Sequence, residues 1–70
     1  MDELIRRAMA AYFRAGNIDQ PGQDSEVRDI EGRRYVVLRN VSGVLAVYRL
    51  TSQGKLRVLR RWPREVKEGI

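Results

Sequence analysis

The chain contains no cysteine and no histidine among its 70 residues. Without cysteine it forms no disulfide bond, and without either residue it offers no thiolate or imidazole ligand for zinc. The same absences exclude Ser-His-Asp and Cys-His catalysis and any imidazole-based pH switch. Metal binding would have to use carboxylates alone, so we expect no metal site, no cofactor and no enzymatic activity.

Long hydrophobic runs are also missing. A membrane span needs about 18–20 consecutive apolar residues, and no segment comes close to this, so we expect no membrane partner. Charged residues interrupt residues 1–13, and we therefore expect no targeting signal and a cytoplasmic protein. A domain of this size buries only roughly 60% of its unfolded surface. Because subunit association commonly stabilises such small domains, we predict a homodimer.

The apolar pattern predicts one α+β domain over residues 1–70. A helix is expected over residues 2–15, with Asp2 as its N-cap and Gly16 at its end. After a linker at 17–24, alternating apolar and polar residues predict a four-stranded antiparallel meander within 25–61. A short C-terminal helical turn, in which Pro63 takes the first position, is expected within 62–70. The predicted strands cover 26–30, 33–41, 44–51 and 56–61.

Alternation along the strands also predicts which side chains share a face of the sheet. If Val41 lies opposite Val44, then Tyr35 and Val37 share a face with Tyr48. We expect the helix to pack on this face, which would also carry Trp62. The other face would carry an apolar belt with arginines around it, formed by Leu38, Val47 and Leu59. This belt is either an interface or an ordinary surface half covered by the C-terminal turn.

Charge is divided unevenly along the chain. Residues 1–32 hold seven acidic residues and four arginines, whereas residues 33–64 hold nine cationic residues and no acidic one. Twelve of the 14 cationic residues are arginines, whose planar guanidinium binds phosphate through two parallel hydrogen bonds. Such a segment projects a positive field unless acidic residues near Glu26 or a partner offset it.

We therefore predict a small basic protein that binds nucleic acid, DNA or RNA, in an accessory or regulatory role. The binding surface would be an arginine-rich face of the sheet, on which exposed aromatic side chains would stack on bases. The candidate aromatic residues are Tyr35, Tyr48 and Trp62. The expected phosphate contacts are Arg34, Arg49, Arg57 and Arg61, with Arg39, Arg60 and Arg64 in secondary positions.

Two alternatives remain open. The first is a protein-interaction module, an adaptor or an antitoxin-like or inhibitor-like protein, that binds an acidic protein through the same arginine-rimmed face. The second is an enzyme that cleaves RNA with Tyr48, Arg49 and residues 57–61 around a phosphate. The sequence has no glycine-rich phosphate loop and no pair of carboxylates expected to converge, so binding is favoured over catalysis.

Overall fold

The computed structural model describes residues 3–22, 24–41, 43–62, 64 and 66. Its elements are helix α1 (Glu3–Arg14) and strands β1 (Glu26–Ile30), β2 (Arg33–Asn40), β3 (Gly43–Leu50) and β4 (Leu56–Val58). The strands form one antiparallel sheet in the order β1-β2-β3-β4. The predicted α+β fold, with an N-terminal helix on a four-stranded antiparallel meander, is confirmed. Asp2 and most of the predicted turn at 62–70 lie outside the described residues.

Helix α1 follows from its own sequence. Glu3 lies in its first turn and Arg14 in its last, where each charge complements the helix dipole. Gly16 ends the helix in the left-handed region at φ 92°, a conformation that costs glycine little. Ala8 and Tyr12, one turn apart, are the buried residues of the helix. This spacing directs one helix face onto β1 and β2.

Two hairpin turns lie at the same end of the sheet. The β1–β2 turn consists of Glu31 and Gly32, both at positive φ, which is the two-residue type I′ geometry that suits strand twist. The β3–β4 loop spans residues 52–54, and the backbone N–H of Thr51 donates to the carbonyl oxygen of Lys55 at 2.7 Å. Gly54, the last residue of this three-residue loop, has φ 80°, a left-handed conformation that glycine adopts at little cost.

The predicted register of the β2–β3 hairpin is wrong. Val44 pairs with Arg39 and not with Val41, and a bulge next to this pair makes Leu45 the extra residue of β3. Side chains alternate between the two faces of a strand, so a shift of one residue changes which side chains of β2 and β3 share a face. Tyr35 was predicted to share a face with Tyr48, whereas it pairs with Arg49 and shares a face with that residue. Strand β2 therefore ends at Asn40, one residue earlier than predicted.

The sheet has a hydrophobic cluster on each face. The cluster under α1 consists of Ala8, Tyr12, Val36, Leu38 and Tyr48. The cluster on the opposite face consists of Tyr35, Val37, Val47 and Val66, with Leu59 and Trp62 packed against it. Tyr35 and Val37 thus lie away from the helix, and Leu38 lies under it, contrary to prediction. Trp62 packs against the opposite cluster and also lines a cleft beside α1. Of the predicted belt, only Val47 and Leu59 lie in this second cluster, where Trp62 and Val66 from the chain after β4 pack with them.

Candidate nucleic-acid interface

A row of four paired residues crosses the whole sheet on the face opposite α1. Arg28 on β1 pairs with Tyr35 on β2. Tyr35 pairs in turn with Arg49 on β3, and Arg49 pairs with Arg57 on β4. Directly opposed residues on antiparallel strands share a face. Since Tyr35 belongs to the cluster away from the helix, Arg49 and Arg57 lie on that same face.

Two further cations lie one step nearer the hairpin turns. Arg33 precedes Tyr35 by two residues, and Lys55 precedes Arg57 by two, so the alternation puts them on the same face as Arg49. A strand rises about 3.3–3.4 Å per residue, which separates the two rows of cations by roughly 7 Å. The paired backbone thus gathers four cations at one corner of one face.

An open depression of about 940 Å³ lies at this end of the sheet, between the β1–β2 and β3–β4 turns. It is lined by five cationic side chains and one carboxylate: Arg33, Arg34, Arg49, Lys55, Arg57 and Asp29. All five cations of this basic depression belong to the segment 33–64, and its one carboxylate, Asp29, belongs to β1. It has the charge and concave shape expected of an anion-binding site.

One of the five cations meets a carboxylate. Arg34 Nε donates to Asp29 Oδ1 at 3.2 Å, with both side chains more than half exposed. Exposed pairs of this kind contribute about 0–1 kcal/mol, so Asp29 leaves Arg34 accessible. No carboxylate in the described ranges lies within salt-bridge distance of the other four, Arg33, Arg49, Lys55 and Arg57.

Arg39 is in a different environment. Its side chain is only 16% exposed, and its Nη2 lies 3.6 Å from Glu26 Oε1. The same oxygen of Glu26 lies 3.5 Å from Arg28 Nε. Because Arg39 is mostly buried and pairs with a carboxylate of β1, we assign it a structural role. It does not line the basic depression.

The other predicted contacts follow β4. Arg60, Arg61 and Arg64 are exposed, but none of them lines the basic depression. Arg60 lines instead a smaller cleft of about 490 Å³, which lies between α1 and strands β3 and β4. Of the seven predicted contact residues, the structure brings together Arg34, Arg49 and Arg57.

Two lining cations were not among the predicted contacts. Arg33 was missed because it directly follows the β1–β2 turn, and Lys55 because it directly follows the β3–β4 loop. A signal was nevertheless present, since both turns were predicted and a meander places alternate turns at the same end of a sheet. Cationic residues next to those two turns would have identified them.

The aromatic side chains do not form a stacking surface. Tyr35 is 8% exposed and Tyr48 is 5% exposed, and Trp62 packs against the cluster opposite the helix. Burial raises the pKa of the Tyr48 hydroxyl, and its proximity to Tyr12 raises that pKa further. Tyr35 and Tyr48 therefore serve as core side chains, and phosphate contact is the chemistry that the site offers.

The described ranges contain no group of three or more acidic side chains close enough together to hold a metal ion. Nor does any helix in them have the length and hydrophobicity needed to cross a membrane. Comparison with protein-family models, curated proteins and solved structures found no match for this chain. Function therefore has to be inferred from the chemistry of the site itself.

Proposed function

We propose that the protein binds nucleic acid, DNA or RNA, by contacting its phosphate groups at the basic depression. The observation that carries this proposal is the convergence of Arg33, Arg49, Lys55 and Arg57 at one corner of the sheet. Each guanidinium is able to donate two parallel hydrogen bonds to one phosphate. Cations that meet no carboxylate among the described residues bind a polyanion with little competition from those carboxylates.

The proposed mode of binding is independent of base sequence. Contacts to phosphate position a protein on nucleic acid, whereas contacts to base edges or stacked bases provide sequence information. With Tyr35 and Tyr48 buried, the site offers charge without a stacking surface. Such binding suits an accessory or regulatory protein and requires no catalysis. The predicted cytoplasmic location is compatible with this role.

The predicted contacts take different parts in this proposal. Arg34, Arg49 and Arg57 contact phosphate together with Arg33 and Lys55. Arg60, Arg61 and Arg64 contact only a ligand long enough to reach past the end of β4. Arg39 contributes through the stability of the sheet.

Fluorescence anisotropy with a labelled 20-base-pair duplex, measured at several salt concentrations, tests the proposal. Five phosphate contacts predict that log affinity falls with log salt with a slope of up to about −4.5, since each contact adds about −0.9. The double variant Arg49→Gln/Arg57→Gln should reduce the slope by about 0.9 for each phosphate contact that it removes. Arg14→Gln removes an exposed charge at the end of α1 and should leave the slope nearly unchanged.

The same experiment separates nucleic acid from an acidic protein partner. If the folded protein binds neither duplex nor single-stranded nucleic acid at low salt but does bind poly-glutamate, the result would support the protein-interaction module instead. Equal losses of affinity in the Arg14→Gln variant and in the double variant would show that binding follows net charge and not this site.

We also propose that the protein forms a homodimer. Helix α1 packs over β1 and β2 and leaves an apolar cleft above β3 and β4. Val58 lines this cleft and is 60% exposed. Two copies would bring two basic depressions into one particle and increase the number of phosphate contacts. Light scattering at micromolar concentration should give twice the 8.1 kDa mass of the chain, and the mass of a monomer would contradict the proposal.

A further inference from the structure

Arg49 and Arg57 are direct partners across the β3–β4 pair. Opposed residues on antiparallel strands have Cα atoms only about 4.5–5.5 Å apart, and like charges in this arrangement destabilise a sheet. The neighbour of Arg49 on its other side is Tyr35, a buried and uncharged residue. No described carboxylate is within salt-bridge distance of either arginine, so no counter-ion among the described residues offsets this repulsion.

The repulsion acts on the least secured strand of the sheet. Strand β4 has three residues and lies at the edge. Leu56 packs against the cluster under the helix, whereas Val58 remains 60% exposed. A further attachment comes from α1, where Arg7 Nη2 donates to the carbonyl oxygen of Gly54 at 2.8 Å. The backbone N–H of Leu59, the residue after β4, donates to the carbonyl oxygen of Val47 at 2.9 Å, so this short edge strand is held by few contacts while it carries one of two facing charges.

We propose that Arg49 and Arg57 form a binding site for a single phosphate group, and that the bound phosphate stabilises the pairing of β4 with β3. Arg33 and Lys55 flank this site on the same face and add to its positive potential. A phosphate anion between two guanidinium groups replaces one repulsion with two charge-assisted attractions. The inference rests on the proposed function, and it adds a defined subsite and a link between ligand binding and the fold.

The link follows from mass action. A ligand that binds only the folded state raises the stability of that state as its concentration rises above the dissociation constant. The phosphate site exists only while β4 is paired with β3, because unpairing separates Arg49 from Arg57. Phosphate should therefore raise the melting temperature and protect the backbone amides of β4 from exchange.

Thermal unfolding in inorganic phosphate, compared with sodium chloride at equal ionic strength, tests this inference. The melting temperature of the unmodified protein should rise by roughly 5–10 °C when phosphate reaches about ten times its dissociation constant. Because phosphate also stabilises proteins through exclusion from their surface, the decisive quantity is the difference between variants. Arg57→Gln should lose the phosphate-specific rise, and Arg14→Gln, at the end of α1 and outside the basic depression, should keep it.

The behaviour in chloride provides a second readout. Arg57→Gln should melt at the same temperature as the unmodified protein or higher, because the substitution removes the repulsion from Arg49. A lower melting temperature in chloride together with an unchanged response to phosphate would overturn the inference. If Arg57→Gln does not fold, nuclear magnetic resonance on the unmodified protein decides. Phosphate should shift the amides of Arg49 and Arg57 selectively, and shifts spread over all cationic residues would overturn the inference.

Failure of this inference and failure of the proposed function are distinguishable. Phosphate-specific stabilisation without binding to any polynucleotide would support the phosphate site and contradict nucleic-acid binding. Polynucleotide binding without phosphate-specific stabilisation would contradict the phosphate site at Arg49 and Arg57. Nucleic acid would then be bound through the overall positive potential of the surface.

Discussion

Arg39 Nη2 lies 3.6 Å from Glu26 Oε1, so a cation of the interior strand β2 meets a carboxylate of the edge strand β1. The side chain of Arg39 is 16% exposed, and its Nε is buried without a hydrogen-bond partner among the residues that the structure describes. Glu26 is thus the counter-ion of a poorly solvated charge, and Arg28 also approaches it. Arg39 also lies near the end of β2 that is opposite the β1–β2 turn, and so it is remote from the basic depression.

Glu26→Gln should lower the free energy of unfolding by about 1–2 kcal/mol, because it leaves Arg39 partly buried without a counter-ion. Urea unfolding at neutral pH measures the change. Glu3→Gln is the matched control, since Glu3 Oε1 accepts from the well-exposed Arg6 at 2.8 Å and such pairs contribute about 0.5 kcal/mol or less. Equal effects of the two substitutions would contradict a structural role for Glu26.

Glu31→Asn should raise the free energy of unfolding by about 0.5–1 kcal/mol. Glu31 has φ 51° in the two-residue β1–β2 turn, and Asn followed by Gly32 suits that turn better than Glu. Glu31→Ala is the control, because it removes the same carboxylate but leaves a residue that is equally unsuited to positive φ. If the alanine variant gains as much stability as the asparagine variant, the effect comes from charge and not from φ.

Leu38→Ala should cost about 2–5 kcal/mol, because Leu38 is fully buried under the helix and truncation leaves a cavity. In a domain this small, the loss is comparable with the whole free energy of unfolding. Circular dichroism should therefore show a largely unfolded chain at 25 °C. Val41→Ala removes an apolar side chain that is 99% exposed and should change stability by less than about 0.5 kcal/mol.

Stability should fall at alkaline pH because of Tyr48. Burial raises the pKa of its hydroxyl above the ordinary value near 10, with a smaller contribution from Tyr12. The folded state therefore holds the proton more tightly than the unfolded state, so this stabilisation is complete below pH 10 and is lost as pH rises further. Urea midpoints measured from pH 8 to pH 11 should decrease, and Tyr48→Phe should reduce the decrease. A flat profile in the unmodified protein would contradict this prediction.

The sequence alone was sufficient for the helix, the order of the strands and the positions of the β1–β2 and β3–β4 turns. These depend on local patterns: the apolar spacing around Ala8 and Tyr12, the Glu31-Gly32 turn and the glycine of the 52–54 loop. Backbone conformation at a turn is limited by the residues of the turn itself, so its chemistry is visible in sequence. The concentration of cations after residue 32 is likewise a property of composition.

Register, burial and convergence were decided by the tertiary structure. The bulge at Leu45 has no local signature, because it is selected by packing two clusters on opposite faces of the sheet at once. Its one-residue shift put Leu38 under the helix and Tyr35 beside Arg49. The sequence by itself determined how many cations the second half of the chain carries. Only the paired strands decided that Arg33, Arg49, Lys55 and Arg57 meet at one corner, because their proximity depends on hydrogen bonds between strands.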